Sequence, residues 1–146
     1  GFTDITNRPE IAEAQQFYSS LLERREGASW KELNLALQQI MDDYTNTNKT
    51  RSETILKAGL TYLNHLEVEA RQAVKCSNAH ELMRALESFD LLMMGKLVIV
   101  SALERKESRG PHRRSDYTFT NPLMNNKFVT VKKVAGVPTT GIRKIF

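Results

Sequence analysis

The run Arg105-Lys106-Glu107-Ser108-Arg109-Gly110-Pro111-His112-Arg113-Arg114-Ser115-Asp116-Tyr117 is where this chain concentrates groups that could do chemistry. Arg105, Arg109 and Arg114 offer planar forks that match carboxylates in bidentate pairs. Glu107 and Asp116 are local carboxylates that can orient them. His112 with Asp116 can be written as a base and its orienter. Nothing else in the sequence supplies a nucleophile, an oxyanion site or a pocket wall, so such a base has no reaction to run. Matched charge of this kind suits an interface better than a catalytic centre.

The remaining reactive residues are thinly spread. The histidines are His65, His80 and His112, and there is no CxxC or HExxH spacing. His65 and Glu69 stand one helical turn apart and could share an ion, but a solvent-facing pair is the default reading. Cys76 lies at a helix C-terminal end, where the dipole raises a thiol pKa, so it reads as an incidental thiol. As the sole cysteine it forms no internal disulfide and fits a reducing compartment. The seven glycines are scattered singly, with no GxGxxG and no βαβ pattern. The chain therefore has no dinucleotide cradle of its own.

The elements that must position the run are helices. Asn7-Arg8-Pro9-Glu10, Ser29 to Glu32, Thr50 to Glu53 and Asn78 to Glu81 each read as a helix start of the capping-box type. Apolar stripes at helical spacing follow each one. They are Ile11, Ala14, Tyr18 and Leu21-Leu22; Leu33, Leu37, Ile40, Met41 and Tyr44; Leu56, Leu60, Leu63, Glu67, Ala70 and Val74, a stripe only mostly apolar; and Leu82, Leu86, Phe89, Met93, Leu97, Val100 and Leu103. Gly27 closes the first helix and the Thr45-Asn46-Thr47-Asn48 loop the second. Gly59 inside the third costs roughly 1 kcal/mol against alanine and so marks a close helix approach. The fourth helix runs to about Glu107, with Gly110-Pro111 as its stop and Arg105, Lys106 and Arg109 in its last turns. Between Leu91 and Leu103 it is apolar almost all round. Part of that surface is meant for something outside the bundle. Beyond, Asn121-Pro122 signals a turn and Lys127 to Val134 alternates as a strand. Ala135-Gly136-Val137-Pro138 turns it, and Gly141 to Phe146 returns. The expected fold is all-α, an antiparallel three-helix bundle with a shorter preceding helix and a C-terminal extension with a small β-hairpin. Residues 1–109 form the bundle and 110–146 an extended basic tail packed on it or on a neighbouring domain, one structural domain overall.

Glu107-Ser108-Arg109-Gly110, His112, Arg114 and Asp116-Tyr117 resemble the ESRGAHxRxDY signature near the C-terminus of the succinate dehydrogenase/fumarate reductase flavoprotein family, which includes L-aspartate oxidase. The preceding helix fits too, with Leu86-Glu87, Leu91-Leu92-Met93-Met94, Ala102 and Arg105-Lys106 in the family's order. Pro111 departs from the usual alanine. The resemblance implies an accessory C-terminal domain of an FAD-dependent oxidoreductase, structural in role and not catalytic by itself. It implies FAD in the parent protein, in a flavin-binding domain outside this chain, and no cofactor in this piece. No catalytic residue of the family maps onto any position here. Arg105, Glu107, Ser108, Arg109, His112, Arg114, Asp116 and Tyr117 would then form the interface with the flavin-binding domain of the same polypeptide. An iron–sulfur subunit and a cytoplasmic location, membrane-associated through other subunits, belong to the same implication.

Composition sets the bounds. The chain of 146 residues is one domain of ordinary size, able to bury a core. No apolar run reaches the roughly 20 residues of a membrane span, and Leu91 to Leu103 carries Lys96. The start at Gly1-Phe2 reads as an excised piece. From Arg105 to Phe146 there are ten Lys/Arg against two Asp/Glu, a net of +8, while Gly1 to Glu104 carries −4. That asymmetry keeps an alternative open, a free-standing basic helical module binding nucleic acid or a protein partner. Against nucleic acid, only Tyr117, Phe119 and Phe128 stand near those cations as stacking candidates. Bare apolar surface also leaves open a homodimer of the isolated chain, which the sequence does not decide.

Overall fold

The computed structural model describes residues 8–45 and 49–145. Four helices follow one another: α1 (Pro9–Glu23), α2 (Trp30–Thr45), α3 (Glu53–Ala73) and α4 (Ala79–Glu104). A single 3-10 turn, Pro122–Met124, leads into strands β1 (Lys127–Val134) and β2 (Val137–Lys144), paired antiparallel. The helical bundle with a small hairpin is the expected architecture. Helices α2, α3 and α4 pack on one another, α1 leans on α4, and the hairpin lies across α4.

Local chemistry explains where the helices start. At α2 the Glu32 carboxylate accepts from the Ser29 amide at 2.7 Å, and the Ser29 hydroxyl accepts from the Glu32 amide at 3.3 Å, the expected reciprocal box. At α4 the Asn78 side chain accepts from the Glu81 amide at 2.9 Å. The cap of α3 is Ser52, not Thr50, because Ser52 holds the extended backbone and accepts from the Ile55 amide. At α1 the cap position falls on Arg8, with no side-chain hydrogen bond, and Pro9 supplies the fixed φ of a first turn. The expected Asn7 cap lies outside the described residues, as do Asn46, Thr47 and Asn48 of the loop after α2.

The core is Leu21, Leu33, Leu37, Leu56, Leu63, Leu92 and Ile99, each at most 4% exposed. On α4 the buried line differs from the expected stripe. It is Ala85, Ser88, Leu92, Gly95, Ile99 and Ala102, while Leu82, Leu86, Phe89 and Leu103 fill the flanks and Met93 is exposed. The reason is backbone approach. A Cβ on Gly95 would meet the Met41 sulfur at 2.9 Å, and one on Gly59 would meet the Tyr44 Cβ at 2.7 Å. Small residues lie where helices nearly touch, and large ones pack in the space beside them. The outer side of α4 leaves Leu91, Met94 and Val98 exposed.

Three expected boundaries move. Helix α1 ends at Glu23, and Gly27 serves instead the contact of the α1–α2 loop with the end of α3. The Ala28 amide donates to the Ala73 carbonyl there, and a Cβ on Gly27 would sit 2.0 Å from that oxygen. The hairpin turn is Ala135-Gly136 alone, with φ of 48° and 83°, so β2 begins at Val137. Two left-handed residues already match the twist of the strands. Last, α4 ends at Glu104 and not near Glu107. Gly110-Pro111 is a separate tight turn closed by Arg109 and His112, which exchange backbone hydrogen bonds at 2.8 and 3.0 Å. Arg105, Lys106 and Arg109 therefore lie beyond the helix.

Candidate functional site

The chain leaves α4 because the groups just past it fold inward. Glu107 is fully buried. Its carboxylate accepts from Arg105 at 2.6 Å, from Arg109 at 3.0 and 3.1 Å and from the Asn121 amide at 2.8 Å. Burial pushes this carboxyl up, but the bonds from Arg109, the Asn121 amide and Arg105 outweigh it and hold the pKa at about 2. Arg109 goes on to the Asn121 carbonyl and the Asn125 side chain, tying the loop to the approach of the hairpin.

Arg114 is the second anchor, at 2% exposure. Its fork meets Asp116 in two bonds of 2.7 and 2.6 Å, and its third nitrogen donates to the Ala102 carbonyl at 2.9 Å. A guanidinium thus takes a carbonyl that the end of α4 leaves without a helical partner. The Tyr117 ring lies under the same cation, 4.9 Å from it. Asp116 is held well below the usual carboxylate range by Arg114, and it caps α3 by accepting from the Glu53 amide. Ser108 stitches the loop across itself, its hydroxyl donating to the Tyr117 carbonyl and accepting from the Arg114 amide.

His112 and Asp116, expected as a base and its orienter, are not paired. The His112 Nε2 faces the Arg105 carbonyl at 2.9 Å, and Nδ1 faces an Arg51 nitrogen at 3.0 Å. A carbonyl only accepts, so Nε2 carries the proton, and Nδ1 accepts from Arg51 as a neutral ring. Burial lowers this histidine's pKa, the Arg105 carbonyl opposes that, and the cations Arg51, Arg114 and Arg105 add to it. The ring is a structural bridge between α4's end and Arg51.

Arg51 is the member that reading the sequence missed. Its side chain donates twice to the Thr45 carbonyl, at 3.0 and 2.6 Å. Its backbone pairs with the loop through Arg51 N–H to the Arg113 carbonyl and Ser115 N–H to the Arg51 carbonyl. No local signal could have placed it in this site, since its partners in the loop, His112, Arg113 and Ser115, stand some sixty positions along the chain.

All eight expected site residues are gathered in this loop, and most of their polar reach is turned inward. Arg113 differs. It is exposed, and its guanidinium has no hydrogen-bond or ion-pair partner among the described residues. It borders an open cleft of about 540 Å³ with Thr50, Arg109, Gly110, Ser115 and Thr118.

The other candidates fall away. Among the described residues no group of three His, Cys, Asp or Glu lies close enough to hold a metal ion. Cys76 is buried, and burial first, then Glu81, pushes its thiol up, so desolvation rather than the helix dipole accounts for it. The sheet among the described residues is one antiparallel hairpin, with no strand–turn–helix of the kind that seats a dinucleotide pyrophosphate. Among the described residues no helix is long and apolar enough to cross a membrane.

The family model of the fumarate reductase flavoprotein C-terminus matches residues 34–136. The chain belongs to that family, as the signature and its helix implied. An uncharacterised FAD-dependent oxidoreductase of Methanocaldococcus jannaschii is 36% identical over 84 residues, 58% of this chain and 15% of that protein. The L-aspartate oxidase of Pyrococcus horikoshii is 38% identical over 69 residues, 47% of this chain and 11% of that protein. The adenylylsulfate reductase structure from Archaeoglobus fulgidus superposes with a TM-score of 0.80 at 24% identity, over 93% of this chain and 24% of that one. The E. coli quinol fumarate reductase does so with 0.76 at 18% identity, over 99% and 25%. The likeness to these two structures is one of fold. The matched stretch spans about a quarter or less of each of these proteins.

Proposed function

We infer that this chain acts as an accessory C-terminal domain of an FAD-dependent oxidoreductase, structural in role and without catalysis of its own. Its loop from Arg105 to Tyr117 docks on a flavin-binding domain of the same polypeptide. The observation that carries this reading is the buried pair of anchors. Glu107 and Arg114 are sealed from water and fully bonded, at a cost in desolvation that a solvated loop would not need. They make the loop rigid, with Arg113 and the hydroxyls of Ser115 and Thr118 set on its rim. A rigid rim lowers the ordering cost of association. The names of the relatives support the flavin and the oxidoreductase class. An iron–sulfur subunit as a further partner and a cytoplasmic setting belong to the same proposal. The competing picture of a free basic module loses weight here, since Arg105, Arg109 and Arg114 already hold carboxylates within the chain.

Two substitutions test it. Arg113→Glu leaves the isolated chain as stable as before, since the Arg113 guanidinium has no partner among the described residues. In the full-length flavoprotein the same change lowers the melting temperature and loosens FAD retention. Arg109→Ala weakens both, because Arg109 also holds Glu107. If Arg113→Glu and Arg109→Ala both left the full-length protein's stability, flavin content and activity unchanged, the docking role would be wrong.

A further inference from the structure

The hairpin carries a second surface, independent of the loop. Its ladder pairs Val134 with Val137 next to a two-residue turn, so that pair exchanges both backbone hydrogen bonds. Alternation then turns the amides and carbonyls of Lys127, Val129, Val131 and Lys133 outward on β1, and those of Pro138, Thr140, Ile142 and Lys144 outward on β2. Pro138 checks the assignment, because a residue without an amide hydrogen fits only an outward position. It also spoils the β2 edge as a template. The β1 edge has no such break. The Lys127 carbonyl takes a bond from Arg105, and the outward groups of Val129, Val131 and Lys133 bond nothing among the described residues.

Charge says what suits that edge. Between Lys127 and Lys144 there are five cations, Lys127, Lys132, Lys133, Arg143 and Lys144, and no carboxylate. A second copy of this hairpin would be repelled. Val131, Lys132 and Lys133 also line a cleft of about 650 Å³ between the turn end of the hairpin and α3 and α4, where Leu60, Met93 and Leu97 are apolar and the carboxylate of Glu67 is held by Lys96 and Arg71. We propose that the outer edge of β1 accepts an extended, carboxylate-bearing polypeptide segment as a third strand. Backbone bonds to Val129, Val131 and Lys133 supply the register, the lysines recruit the acidic side chains, and the cleft takes alternate apolar ones. This does not rest on the docking role of the Arg105–Tyr117 loop, and either can fail alone.

The test is fluorescence anisotropy of the 146-residue chain with a labelled peptide alternating valine and glutamate. Saturable binding is expected, with a peptide of equal charge but proline at alternate positions binding at least tenfold more weakly. Lys133→Pro removes one outward amide and no ladder bond, and weakens binding at least tenfold. Its circular dichroism stays unchanged, because the amide it replaces points outward and makes no ladder bond. In the unsubstituted chain, the Val129 and Val131 amides gain protection from hydrogen exchange when the peptide is added. Equal affinity for the proline-interrupted peptide, no binding, or preferential binding to phosphatidylglycerol vesicles or to a labelled oligonucleotide would each overturn the proposal.

Discussion

Glu107 is one of the two side chains on which the loop's bonding converges. Two guanidinium groups and one amide converge on it, so its removal leaves two cations without their carboxylate and the Asn121 amide without its acceptor. Glu107→Ala should cost about 3–5 kcal/mol in urea unfolding, in line with breaking a buried pair from one side. The pH dependence has a definite sign. The folded carboxyl titrates at about 2 against an ordinary 4.5. A depressed carboxyl contributes stability that is whole above the unfolded value and is lost as pH falls from there through the folded one. Unfolding free energy should therefore drop between roughly pH 4.5 and 2, and Glu107→Gln should flatten part of that drop. His112 has its own signature. Its folded pKa lies below the ordinary 6.5, so the neutral ring is the stable form, and that stability fades as pH falls below 6.5. A proton NMR titration of the ring should give a midpoint below 6.5, moving upward in Arg51→Met.

The helix pairs make predictions of a different kind, because two glycines do different work. At Gly59 a new Cβ meets the Tyr44 Cβ at 2.7 Å, an atom fixed close to the backbone. Gly59→Ala should destabilise by about 1–3 kcal/mol through overpacking. At Gly95 the obstacle is the Met41 sulfur at 2.9 Å, near the end of a flexible side chain that can step aside. The gain in helix propensity, roughly 1 kcal/mol, then offsets most of the clash, and Gly95→Ala should lie within about 1 kcal/mol of neutral. Chemical denaturation of the two variants side by side tests the difference. A Gly95 variant worse than the Gly59 one would mean that Met41 is locked in place. The same close approaches explain why the stripe of large residues on α4 is not its most buried line. Periodicity marks a face as apolar, but only the partner helices select which line of that face touches them.

Across the whole molecule, the tail is joined to the bundle at both ends of helices. Arg51 pairs with Arg113 and Ser115, Asp116 caps α3, Arg114 reaches the end of α4, and Thr140 donates to Glu104 on α4. Tail and bundle should therefore unfold as one unit. Native-state hydrogen exchange should give the Arg51 and Ser115 amides protection comparable to that of Leu63 and Leu92 in the core. Exchange a hundredfold faster at Arg51 and Ser115 would make the tail a separate, weaker unit. The sequence by itself determined what depends on near neighbours. Four helices, the Ser29 and Asn78 caps, the span of β1 and the family signature are all patterns over a few residues, written in hydrophobic period, hydrogen-bonding side chains and turn chemistry. Tertiary structure alone decided what depends on distant partners. The end of α4 at Glu104, the buried line of α4 and the pairing of His112 with Arg51 rather than Asp116 are of this kind. So is the inward turn of Arg105, Arg109 and Arg114. Each is a competition among partners brought together only by packing, where a charge removed from water takes the best-placed opposite group, whatever its position in the chain.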